Sequence, residues 1–175
     1  MRQLNIDMSE LELAFEGGYE TISYYLDLET GEVITVSEDT LGIHETIYAT
    51  YYDEQAQTID WESAFESENV PDWQRELVRD ADRVEAGIGV TIIAIPSESS
   101  SEGYSDMEVF IDTVRNKSLR ERLERAISGR GAFRYFKDVL LDYPAERERW
   151  FQFKHARLQQ RMLEWLEEQG ITPQQ

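Results

Sequence analysis

Cysteine is absent from this chain, which removes thiolate metal sites, disulfide frameworks and cysteine nucleophiles at once. Lysine is scarce: Lys117, Lys137 and Lys154 are the only three. No apolar run approaches the ~20 residues that a membrane span needs, and the opening Met-Arg-Gln-Leu-Asn-Ile-Asp does not read as a secretory signal. The expectation is a soluble, cytoplasmic protein without membrane contact. Nucleophile elbow, dinucleotide fingerprint, full phosphate loop and nucleic-acid motif are all missing, so direct nucleic-acid binding is not expected. The two histidines, His44 and His155, stand apart in the sequence. His44-Glu45 with Asp53 or Glu54 is the best available metal set, but its spacing matches no ligand motif. Neither a metal nor a cofactor is therefore expected.

What the chain does have is a core and a large charge imbalance. Of its 175 residues 41% are hydrophobic and 11% aromatic, and a chain near 150 residues buries roughly 70% of its unfolded surface. Acidic side chains number 36 against 17 basic ones, a net charge of −19. The imbalance is confined to one side of Gly103. Residues 1–103 hold 24 acids and four bases, a balance of −20, with no cation between Arg2 and Arg75. Residues 104–175 hold 12 acids and 13 bases, a balance of +1. Three readings compete. The first is an acidic face that docks on a basic protein or mimics the phosphate rows of DNA. The second is a high-salt adaptation of the surface, which the neutral C-terminal portion counts against. The third is a solvated face without a partner.

Hydrophobic spacing predicts an α+β protein. A short helix is expected over 7–16, where Ser9 and Glu12 have capping-box spacing. A β-hairpin is expected over 20–36: Ile22, Tyr24 and Leu26 alternate with polar or tyrosine neighbours, and Val33 to Val36 returns as the second strand. Residues 37–70 show no sustained period and are expected to be irregular, with a strand at 46–52 and a helical turn at 60–66. Pro71 opens a helix to about Glu85. Residues 90–95 form a buried third strand of a small antiparallel sheet, and Ser97 to Gly103 a polar linker. A C-terminal four-helix unit follows. Its expected helices carry Met107, Phe110, Ile111 and Val114; Leu119, Leu123 and Ile127; Ala132, Phe133, Phe136, Val139 and Leu140; and, after Pro144, Phe151, Leu158, Met162, Trp165 and Leu166. The expected organisation is an acidic α+β portion, 1–103, and a helical portion, 104–175, packed as one unit.

Gly129-Arg-Gly-Ala-Phe-Arg-Tyr-Phe-Lys-Asp-Val-Leu140, Arg149-Trp-Phe-Gln-Phe153 and Glu164-Trp-Leu-Glu-Glu-Gln-Gly-Ile171 together resemble a bacterial protein family of uncharacterised function. Asp106-Met-Glu-Val-Phe-Ile111, the Ile95-Pro96 step and Tyr25-Leu-Asp-Leu-Glu-Thr-Gly-Glu-Val33 extend the resemblance over roughly 7–171. Residues 38–68 depart from it, being longer and richer in aromatics. The resemblance supports the fold reading as one domain-level unit and implies almost nothing about activity, so no catalytic residue is carried over.

The densest chemistry lies at the corner from Gly129 to Lys137. Gly129 and Gly131 allow close backbone approach, and Arg130, Arg134 and Lys137 supply charge for an anion facing the next helix. Trp150 and Phe153 are the candidate flat wall for a base or side chain. Against this stands a plain helix corner, with Arg134–Asp138 an ordinary i,i+4 pair; in a third reading Arg130 and Lys137 bind the chain's own acids. Two functions follow. The leading one is a non-enzymatic interaction or regulatory protein whose acidic face meets a basic protein partner. The alternative is a small-molecule, phosphate or nucleotide-binding protein, or an enzyme, with its site at the 129–137 corner.

Overall fold

The computed structural model describes residues 1–174. The chain divides into two compact units: Met1–Pro96 joined by the chain from Ile171 onward, and Ser97–Gly170. The fold is α+β, with a three-stranded antiparallel sheet and a helical C-terminal region.

In chain order the first unit contains β1 (Arg2–Leu4), α1 (Met8–Glu16), β2 (Ile22–Asp27), β3 (Val33–Ser37), α2 (Glu38–Tyr51), α3 (Trp61–Ser67), α4 (Asp72–Gly87) and β4 (Ile92–Ala94). The second unit contributes α5 (Ser100–Asp112), α6 (Lys117–Ile127), α7 (Ala132–Leu140) and α8 (Pro144–Glu168), after which β5 (Ile171–Pro173) belongs again to the first. The main sheet runs β3-β2-β4, with Tyr25 opposite Ile34 on one side and Ala94 on the other. β1 and β5 form a separate parallel pair, Arg2 opposite Ile171. Sequence reading misses this pair because three residues are too few for a period to show. The third strand is shorter than the expected 90–95: Val90 lies in the turn before it, 80% exposed.

The stretch expected to be irregular is mostly helix. Ser37 caps α2 by accepting from the Thr40 amide, and Glu38 and Asp39 in the first turn suit the positive end of the helix dipole. Thr40, His44 and Ile47 are buried at i, i+4, i+7, which is a helical stripe. The strand expected over 46–52 is thus corrected. Its Thr, Ile and Tyr content misled because burial overrides weak propensity. Thr46 and Thr50 also donate their hydroxyls to the carbonyls of Gly42 and Thr46, four residues back.

α4 packs against both the sheet and α3. Val78 joins Ile47, Ile59, Ala64, Phe65 and Val70 in one core cluster. Ala81 and Val84 join Ile34, Val36 and Ile92 in a second. The hairpin turn is held by Asp27, whose carboxylate accepts from the amides of Glu29 and Thr30 at 2.7 and 3.0 Å. Gly31 completes that turn at φ +81°, and a Cβ there would lie 2.5 Å from the Asn5 carbonyl oxygen.

In the second unit a capping box forms at Ser99 and Glu102, six residues before the one expected at Ser105. Residues expected as linker therefore become the first turn of α5. The core is aromatic: Phe110, Phe136 and Trp150 meet edge to face, with Trp150 centred 5.2 Å from Phe110 and 4.7 Å from Phe136. Met107, Ile111, Val114, Leu119, Leu123 and Leu140 fill the rest. Phe133 and Phe151, expected inside, are 43% and 46% exposed. Each lies one residue, about 100° of rotation, from the buried position actually used, Ala132 and Trp150.

Asp106 is wholly buried in this unit. Arg157 donates Nε to it at 2.9 Å, and Arg161 donates through both terminal nitrogens at 3.0 Å. Arg161 and Lys154 also reach Glu98. Asp106→Asn leaves Arg157 without its carboxylate while Arg161 keeps Glu98, and both arginines are partly exposed, so it should cost about 1–3 kcal/mol in urea unfolding. Gly31→Ala should cost about 1–3 kcal/mol from strain at positive φ, aggravated by the Asn5 clash. Gly129→Ala is the control: nothing lies within 4 Å of its built Cβ, and a change within about 0.5 kcal/mol is expected.

Candidate functional site

The Gly129–Lys137 corner lies outside three recesses that form within single units. Gly131 takes φ +74° as the residue before α7, and no side chain caps the helix. Arg130, Arg134 and Lys137 are exposed, with Arg134 Nε 3.8 Å from Asp138. Trp150 is enclosed by the aromatic core, so it offers no free face, and Phe153 is half-buried against the same core. None of these five residues lines any of three recesses found within single units, of about 460, 430 and 580 Å³.

The recess of about 460 Å³ has the most distinctive chemistry. α2 contributes His44, Glu45, Tyr48 and Ala49; α4 contributes Asp82, Glu85 and Ala86. Helical geometry explains the grouping, because residues at i, i+1, i+4 and i+5 on α2 share one side, as do i, i+3 and i+4 on α4. Three carboxylates line the recess with no lysine or arginine among the lining residues.

His44 is the buried member, 5% exposed. Its Nε2 lies 2.9 Å from Asp82 Oδ1. A carboxylate only accepts, so Nε2 carries the hydrogen. Nδ1 is then left buried without a hydrogen-bond partner, a cost of about 1–3 kcal/mol. Trp61 stacks on the ring at 6.0 Å and 23°, and Tyr48 approaches it tilted at 5.9 Å. Tyr48 in turn stacks on Tyr52, centroids 4.7 Å apart. The Tyr48 phenol titrates above its ordinary 10, first through desolvation, then through Tyr52 and the Asp82 charge. Asp82 Oδ2, Glu45 and Glu85 have no ion pair among the described residues. Chemically this is a negative, aromatic-walled recess with an oriented imidazole and no Ser, Thr, Cys or Lys nucleophile among its lining residues. It suits a cation.

Among the described residues no three His, Asp or Glu side chains are placed to hold a metal. His44 goes to Asp82 rather than to Asp53 or Glu54, and Asp53 instead caps the amides of Gln55 and Ala56. Sequence reading missed Asp82 and Glu85 because they lie about forty residues from His44, on another helix. A local signal did exist: His44, Tyr48 and Tyr52 recur every four residues, the spacing of one helix face.

The fold and recess define an α+β protein with an acid-lined recess between α2 and α4. No helix among the described residues is long and apolar enough to cross a membrane. The chain belongs to the uncharacterised protein family UPF0158, whose sequence model matches residues 51–175. It is 25% identical over 173 residues to a UPF0158 protein of Pseudomonas aeruginosa, covering 99% of this chain and 88% of that one. No solved structure matches. The family match takes in the α4 side of the recess and begins just after its α2 side.

The raised Tyr48 phenol gives a test of the recess geometry. Its neutral form is favoured in the fold, so that contribution is complete below the ordinary pKa and is lost as pH rises through the folded value. An alkaline absorbance titration should show tyrosines titrating above pH 10, of which Tyr48→Phe removes one and leaves Tyr51, raised by its hydrogen bond to Glu68.

Proposed function

We propose that this protein is a non-enzymatic interaction or regulatory protein that engages a basic protein partner through its acidic first unit. The observation that carries the proposal is how the few cations of that unit are spent. Residues 1–96 hold 22 acidic and four basic side chains. Arg75 and Arg79 both go to Glu62, Arg83 goes to Glu32 at 2.7 Å, and Arg2 donates to the Leu28 carbonyl. Among the described residues, carboxylates such as Glu38, Asp39, Glu45, Glu76 and Glu85 have no ion pair of their own. Like charges left uncompensated in this way cost stability through mutual repulsion. A basic partner surface relieves that repulsion and gains electrostatic steering on approach.

The alternative, a phosphate or nucleotide site at the 129–137 corner, has the uncapped start of α7 in its favour. Against it stand the enclosed Trp150 and the lack of any lining contribution to the three recesses. The acidic unit is the better supported.

The proposal is checked by pull-down from a lysate of the source organism at 50 and 500 mM salt. The bait is the full chain, compared with a variant carrying Glu38, Asp39, Glu45, Glu76 and Glu85 as Gln. A basic protein retained at low salt, lost at high salt and lost with the neutralised bait is the expected outcome. Retention indifferent to salt and to the substitutions, or no retained protein at all, overturns the proposal.

A further inference from the structure

We infer that the recess between α2 and α4 is a specificity pocket for one arginine side chain of the basic partner. This rests on the proposed acidic-face reading and sharpens it from a surface to a site. Four observations meet there. The recess, about 460 Å³, falls in the size range of side-chain and small-ligand pockets. Its lining carboxylates, Glu45, Asp82 and Glu85, are among those that the unit's own arginines do not reach. Its wall includes Tyr48, 45% exposed, whose ring stacks on Tyr52 at 4.7 Å. Its lining includes a polar side chain, His44, nine-tenths buried, whose Nδ1 has no hydrogen-bond partner among the described residues.

Guanidinium rather than ammonium is the chemistry that fits. A planar, delocalised cation stacks on a tyrosine face while its edge offers paired donors to carboxylates. Asp82 is prepared for this: His44 occupies Oδ1 at 2.9 Å and fixes the carboxylate, which leaves Oδ2 for the incoming donors. An ammonium, a compact and strongly hydrated charge, gains less from the aromatic wall.

The test is fluorescence anisotropy on the full chain at 50 mM salt. The probes are two labelled nine-residue Gly/Ser peptides, one with three arginines and the other with three lysines. The arginine peptide should bind more tightly. Glu45→Gln with Glu85→Gln should weaken it about tenfold. Glu29→Gln with Glu54→Gln, which removes the same charge away from the recess, should change it less than about twofold. Tyr48→Leu should remove the preference for arginine while leaving lysine binding unchanged, a result that general electrostatic attraction does not give. Circular dichroism confirms that each variant is folded. Equal weakening by the two double variants overturns the pocket and leaves the acidic-face reading standing. Equal affinity for both peptides overturns the choice of guanidinium. Displacement by spermidine or free arginine at the peptide's own affinity assigns the recess to a small cation and overturns the partner side chain. No binding of either peptide overturns both readings together.

Discussion

Asp106 has no exposed surface and Asp27 almost none, and a carboxylate withdrawn from water must be met by donors or cations. In a chain with 36 acids and 17 bases, that requirement decides where the cations go. Asp106 takes Arg157 and Arg161. Asp27 is satisfied mainly by its own turn, through the amides of Glu29 and Thr30, with Arg83 standing 3.9 Å away. Cations placed for such tasks are no longer available to neutralise the surface. The excess negative charge of the first unit is set by its composition, 22 acids against four bases; the pairing of its arginines with Glu62 and Glu32 decides only which carboxylates are left over.

α4 shows the allotment along one helix. Arg75, Arg79 and Arg83 recur every four residues and form a single stripe. Its first two members bind Glu62 of α3 and lie 5.7 and 5.6 Å from the Phe65 ring. The third reaches back to Glu32 beyond the hairpin turn. A second side of the helix, Val78, Ala81 and Val84, enters two core clusters. A third presents Asp82, Glu85 and Ala86 to the recess. Because the arginines are tied to α3 and the hairpin, the carboxylates that meet α2 are left without a cation. One amphipathic pattern thus yields ion-paired struts, apolar core and a negative pocket wall.

How much of this is legible in the sequence depends on whether the deciding interaction is local. The hairpin was readable because β-branched alternation and turn residues fall within 17 consecutive positions, 20–36. The helical C-terminal half was readable from its i, i+3, i+4 stripes, although the exact buried face slipped by one residue at Phe133 and Phe151. α2 was not readable: its hydrophobic stripe is short, with Thr40 and His44 buried where apolar residues would mark a helix. The recess was hidden for the same reason. Its dyad joins positions 44 and 82, and no composition or spacing rule links residues across two helices whose packing is still unknown. The candidates at 129–137 illustrate the converse. Glycine, arginine and tryptophan lay close in sequence, yet Trp150 went to the core because an indole gains more from burial than from lining a corner.

Charge at two ranges then has two different consequences. The excess over residues 1–96 acts at the scale of the Debye length, about 8 Å at physiological salt, and raises encounter rates with any basic surface. It selects among such surfaces poorly, since every exposed lysine or arginine feels the same field. Selection requires contacts shorter than that length and geometry that one cation meets better than another. The α2–α4 recess supplies those conditions: a carboxylate fixed by His44, an aromatic wall braced by a second ring, and no internal cation competing for the place. A protein with only the diffuse charge would be adhesive to basic macromolecules in general. On the proposed reading, three carboxylates beside a stacked tyrosine would convert part of that adhesion into discrimination, at the cost of holding a buried imidazole nitrogen without a partner among the described residues.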